Sequence, residues 1–136
     1  VKTVRAFPPN YADICKAIPS VRGMRGVVFT YGDACYVQPT GNPTLSLDLE
    51  AHEETHVQQQ AEIGADVWWQ RYLSDKKFRL EQELEAYKVQ YVVLQQFPRA
   101  VRRKRLAAIS KDLGGKMYGG IITSEQAKRL ITEGGE

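Results

Sequence analysis

Residues 52–56 read His52-Glu53-Glu54-Thr55-His56. Residues four apart lie one above the other on an α-helix, so in that conformation both imidazoles reach one ion. Glu53 then points its carboxylate at a water on the same ion. The stretch therefore demands a helix, and its surroundings supply one. Ser46 and Asp48 are the candidate N-caps of a helix expected over about residues 49–60, with Gly64 as a weak point beyond it.

Working outward towards the N-terminus, Val27-Val28-Phe29-Thr30-Tyr31 is β-branched and aromatic throughout and predicts a strand. Gly32-Asp33 predicts a turn and residues 34–37 a second strand, so a small hairpin precedes the motif helix. Pro39-Thr40-Gly41-Asn42-Pro43 reads as the connecting loop. Before the hairpin, Pro8-Pro9-Asn10 is a breaker. Residues 11–17 predict a short helix capped by Asn10 or Asp13 and ending before Pro19.

Towards the C-terminus, Val67, Trp68, Trp69, Tyr72 and Leu73 make residues 61–73 too apolar to leave in water, and both tryptophans are expected in core and rim. Residues 78–97 carry the clearest helical period. Leu80, Leu84, Tyr87, Tyr91 and Leu94 mark the inward stripe, and Pro98 ends it. A helix over residues 101–113 stops at Gly114-Gly115, and residues 116–122 read as a loop or short extended piece. Thr123 caps a last helix, with Gln126 at the capping-box position and Ala127, Leu130 and Ile131 on its apolar side.

The expected fold class is α+β: mainly helical, with a small antiparallel sheet or hairpin before the motif helix. The 136 residues fit a single domain, with a helical lead-in over 1–26, a metal-site core over 27–97 and a basic helical tail over 99–136. Hydrophobic content of 43% beside 26% charged residues suits a globular chain, and no apolar run approaches the ~18 residues of a membrane span. Residues 1–7 are not followed by a signal-like apolar region. Cys15 and Cys35 form no C-x-x-C pair and are expected as reduced, buried thiols, which points to the cytoplasm. Much of the +3 net charge lies in Arg99, Arg102, Arg103, Lys104 and Arg105. That cluster lacks interleaved aromatics or a reading module, so a solvated basic face is expected rather than nucleic-acid contact.

Two histidines do not complete a catalytic zinc site, which uses three protein ligands and a water. The chain has no third histidine, so a carboxylate, a cysteine or a group from outside must finish the set. The period of the 78–97 helix favours Glu83, which adjoins Leu80 and Tyr87 at spacings of three and four; Glu81 and Glu85 remain alternatives. Zinc is the expected metal, with cobalt or nickel able to occupy the same N/N/O set.

The pairing of His52-Glu53-x-x-His56 with Glu83-Leu84-Glu85-Ala86-Tyr87 resembles the gluzincin metallopeptidases, in which a glutamate from a following helix, often within E-x-x-A-x, joins the two histidines. The resemblance covers roughly residues 27–96. It implies a minimal zincin-like fold, ligand roles for His52, His56 and Glu83, a base role for Glu53, and a substrate-binding edge strand near residues 27–31. It departs at Tyr87, where many gluzincins have an aspartate supporting a zinc histidine. The hairpin and the Gly32-Asp33-x-Cys35-Tyr36 segment also look like those of compact phage- or prophage-associated proteins. The expected activity is hydrolysis of a peptide bond in a peptide or protein substrate, with Glu53 moving the proton and Tyr87 as the first candidate oxyanion donor, ahead of Tyr31, Tyr36 and Arg79. So short a chain suggests a shallow cleft and a narrow substrate range. The alternative is a non-enzymatic zinc protein that binds a host or virion protein, located in host cytoplasm or virion.

Overall fold

A computed structural model describes residues 1–39 and 44–133. Three strands, β1 (Lys2–Arg5), β2 (Phe29–Tyr31) and β3 (Ala34–Val37), form one sheet in the order β1-β3-β2. Among the described residues there are six α-helices: α1 (Tyr11–Ala17), α2 (Leu47–Ile63), α3 (Ala65–Ser74), α4 (Lys76–Leu94), α5 (Arg99–Leu113) and α6 (Ser124–Glu133). Short 3-10 turns occupy Pro19–Gly23 and Lys116–Tyr118. The chain is thus α+β and mainly helical. Among the described residues no helix is long and apolar enough to cross a membrane.

The hairpin forms as its turn chemistry requires. Gly32 takes φ +64 and no other residue of the turn is left-handed, the pattern of a II′ turn whose first central position calls for glycine. Tyr31 pairs with Ala34 and Phe29 with Tyr36. The sheet is nevertheless mixed rather than antiparallel, because β1 lies parallel to β3 with Val4 opposite Tyr36. The lead-in is therefore not purely helical. Its first four-residue strand closes the sheet on the far side from β2. Most of the loop at 39–43 lies outside the described residues.

Helix ends correct two expectations and bear out a third. Asn10 and Ser46 occupy the N-cap positions of α1 and α2, yet neither side chain caps its helix. Ser46 and Asp48 instead receive Arg105, and α4 is capped by Asp75, which accepts from the amides of Lys77 and Phe78. At α6 the capping box is complete: Thr123 Oγ1 accepts from the Gln126 amide at 3.1 Å, and Gln126 Oε1 accepts from the Thr123 amide at 2.9 Å. Between α2 and α3, Gly64 adopts φ +91, which breaks one long helix into two.

One apolar cluster holds the parts together. Ile14, Val21, Trp68, Trp69, Leu94, Leu113 and Ile131 are all buried within it. Helix α4 lies across α2 and presents two kinds of side chain. Tyr87 and Leu94 are buried as expected, whereas Leu80, Leu84 and Tyr91 are only half-buried flanks. The face towards α2 is polar: Glu83 and Gln90 are each about 4% exposed. That face carries the site.

Candidate metal centre

Helix α2 buries Asp48, His52, Glu53, His56, Gln59 and Gln60, a row of polar groups that needs partners. Helix α4 supplies the central one. Glu83 Oε1 lies 3.1 Å from His52 Nε2 and 3.0 Å from His56 Nε2, and the two nitrogens are 3.2 Å apart. Glu81 and Glu85 are exposed, and Glu85 accepts from Gln59 instead, so the structure brings Glu83 alone of the three to the histidines.

The other ring nitrogens are held by amides whose orientation is fixed from behind. Gln90 donates through Nε2 to Asp48 Oδ2 at 2.8 Å, so its Oε1, 3.0 Å from His52 Nδ1, accepts a hydrogen bond from that ring nitrogen. Gln59 donates through Nε2 to the Gln82 carbonyl and to Glu85, so its Oε1 accepts from His56 Nδ1 at 2.8 Å. With Nδ1 protonated on both neutral rings, each Nε2 presents a bare lone pair. In that neutral form two lone pairs and a carboxylate oxygen converge, an arrangement that either a metal ion or a proton on one ring resolves. Tetrahedral zinc with bonds of about 2.0–2.1 Å places its donors about 3.3 Å apart, close to the observed 3.0–3.2 Å. The donor set fits a metal ion, and these three buried residues are the metal-capable group found among the described residues.

The competitor is a proton. Burial would pull the His56 imidazolium down, but the charge and hydrogen bond of Glu83 outweigh it and hold His56 up to about 9. Burial likewise opposes the Glu83 carboxylate, and the two histidines hold its pKa far below the usual range. Tyr72 donates to Glu83 Oε2 at 2.5 Å and fixes the second carboxylate oxygen. Behind Gln90, burial would raise Asp48, yet Gln90, Ser46 and Arg105 keep its carboxyl low. Arg105 reaches Asp48 at 2.9 Å, so one member of the basic cluster belongs to the support of the site.

Glu53 stands beside the cluster without joining it. Thr30 of β2 donates to Glu53 Oε1 at 2.9 Å, which leaves Oε2 4.0 Å from His52 Nε2. Cys35 lies next in line, its Sγ 3.4 Å from Thr30 Oγ1, and burial pushes its thiol up to about 12. Both cysteines are free and buried.

Tyr87 packs its ring edge-to-face on His52, with centroids 4.4 Å apart, and its hydroxyl lies 3.3 Å from that of Tyr118. Burial, reinforced by Glu83, keeps both phenols protonated far above their ordinary range. The other oxyanion candidates are elsewhere. Tyr31 donates to Asp66. Arg79 is committed to the carbonyls of Tyr72, Met117 and Leu73. Tyr36 does not line the cleft.

The cleft over the cluster has a volume of ≈ 450 Å³. One wall is the segment 24–30 leading into β2, and the floor comes from α2 and α4. Residues between Ile109 and Tyr118 line the cleft as well. The tail, which lies beyond the stretch covered by the gluzincin resemblance, thus contributes to the lining of the cleft. The edge of β2 is also less open than expected: the Thr30 carbonyl accepts from Gln60 Nε2 at 2.7 Å and from Trp69 Nε1 at 3.0 Å, while the Gly32 amide donates to Gln60 Oε1. Only the part of the segment upstream of the Thr30 carbonyl faces the cleft.

Sequence reasoning missed the orienting residues Gln59, Gln90, Thr30 and Tyr72. A signal existed: Asp48 and Gln59 stand at helical spacings from His52 and His56, and Gln90 lies seven residues from Glu83. The chain matches no protein-family model, no curated protein and no solved structure.

Proposed function

We propose that this chain is a zinc-dependent hydrolase of peptide bonds, with His52, His56 and Glu83 as the metal ligands and Glu53 as general base. The observation that carries the reading is the combination of three converged, back-supported donors with a fourth carboxylate held beside them. A structural ion has no use for Glu53 at that place. The gluzincin-like pairing of the two helices supports the same assignment.

Zinc bound there would supply Lewis acidity to a water and to the scissile carbonyl. Glu53 takes the water's proton on Oε2, the oxygen left free by Thr30, and returns it to the departing amine. Gln90 and Gln59 hold the rings in the tautomer that keeps both Nε2 atoms available. Tyr72 stops Glu83 from turning. Tyr87 and Tyr118 bring protonated hydroxyls to the cleft, where one can donate to the developing oxyanion. An extended substrate lies in the cleft beside segment 24–30.

Elemental analysis of the purified protein, with digestion of an unbiased peptide library, tests the reading. The expected result is about one zinc per chain, lost in His56→Ala, and cleavage abolished in Glu53→Gln with zinc retained. Stoichiometric zinc with no Glu53-dependent cleavage would transfer the site to the alternative, a metal-holding protein that binds a host or virion partner. A folded chain that takes up no zinc would refute both.

A further inference from the structure

The charges lining the cleft divide into two groups. At the floor, Glu83 and Glu53 balance the two positive charges of a bound zinc. Around them the lining holds Arg25 from the segment leading into β2, and Lys111 and Lys116 from the end of α5 and the turn after it, against Asp112 as the one further carboxylate. All three cations are exposed, and among the described residues none has a carboxylate within 4.0 Å, although the charge of Lys111 acts on its neighbour Asp112. They belong to different elements, so the positive field is not confined to one helix. A low-dielectric cleft concentrates such a field and favours ligands of opposite sign. Apolar side chains, among them Ile18, Met24, Val27 and Met117, fill the space between.

From this arrangement we infer that the cleft selects acidic peptide segments, with one or more carboxylates of the ligand meeting Arg25, Lys111 and Lys116 while apolar neighbours rest in the cleft. This deepens the hydrolase reading and rests on it for the identity of the site, yet selection is a property of binding and can be measured without turnover. Exposed ion pairs contribute about 0.2–1 kcal/mol each, so three together give a preference of about tenfold. The preference weakens as salt is raised.

The test uses zinc-loaded Glu53→Gln protein, which holds ligand without cleaving it, and fluorescent peptides identical except for glutamate, glutamine or lysine at two positions. Anisotropy is expected to show the glutamate peptide binding about tenfold tighter than the glutamine one, and the lysine peptide weakest. The triple variant Arg25→Gln, Lys111→Gln, Lys116→Gln is expected to erase the difference; its targets are exposed, and a circular dichroism spectrum verifies folding. Equal affinity for the three peptides, or a preference unchanged in the triple variant, would overturn the inference. Cleavage by the unsubstituted protein is scored separately. Acidic preference without cleavage supports selection and refutes hydrolysis, and cleavage without acidic preference does the reverse.

Discussion

Replacing Gln90 by leucine removes no metal ligand, yet it is expected to weaken zinc binding about 10–100-fold. The size follows from what Gln90 does. Its Oε1 is the partner that fixes the His52 ring and holds the proton on Nδ1, and its Nε2 is one of the groups satisfying a fully buried carboxylate at Asp48. With leucine, the His52 ring is free to turn and to place its proton on Nε2, which must then be displaced before a metal can bind. Such a factor corresponds to about 1.4–2.7 kcal/mol of binding. Asp48 also loses a donor, which costs about 1–3 kcal/mol of folding stability, so the two effects need separate readouts. Competition against a chromophoric chelator gives the zinc affinity of folded protein, and urea unfolding of the metal-free protein gives the stability. Gln70→Leu, an exposed position on α3, is the control. Folded Gln90→Leu protein that binds zinc as tightly as the unsubstituted chain would refute the orienting role.

Metal-free protein should lose stability as pH rises from about 6.5 to about 9, because the His56 imidazolium is favoured in the folded chain; that contribution is fully present below the unfolded value and gone above the folded one. For the same reason zinc uptake near neutral pH should release about one proton from His56, seen by calorimetry in buffers of different ionisation enthalpy; uptake without proton release would contradict the raised value. Gly32→Ala should cost about 1–2 kcal/mol in urea unfolding, since the site is sterically open and the penalty is the left-handed backbone alone. Gly114→Ala should also destabilise, by about 1–3 kcal/mol, as its Cβ would lie 2.6 Å from the Ser124 amide nitrogen where α5 meets the start of α6. Unchanged stability there would mean that the two helix ends separate freely.

The residues that carry a periodic signal were readable. Two histidines four apart, the glutamate on the inward side of the next long helix, the II′ hairpin and the Thr123–Gln126 box all follow from local spacing. What was not readable depends on distant partners. Strand β1 has four residues and no turn to announce it; its pairing with β3 joins Lys2 to Ala34 across the whole of α1. Arg105 looked like one more solvated cation until α5 laid it on Asp48. The inward stripe of α4 was displaced for a physical reason. An apolar count assigns leucines to the interior, but this helix faces a buried polar row on α2, so Glu83 and Gln90 took the centre and Leu80 and Leu84 the margins.

The Gln60 side chain meets the Thr30 carbonyl and the Gly32 amide in the way a neighbouring strand's peptide group would. An exposed strand edge is a template on which further copies of a chain can stack into aggregates. Here that growth is stopped on one side by the Gln60 amide with the Trp69 indole beside it, and on the other β1 is only four residues long and ends in Lys2 and Arg5, both exposed. Gln60→Ala therefore bears on more than local stability. It would free the Gly32 amide and leave the Thr30 carbonyl to Trp69 alone, partly reopening the β2 edge, and its earliest symptom would be turbidity at high concentration while each molecule remains folded.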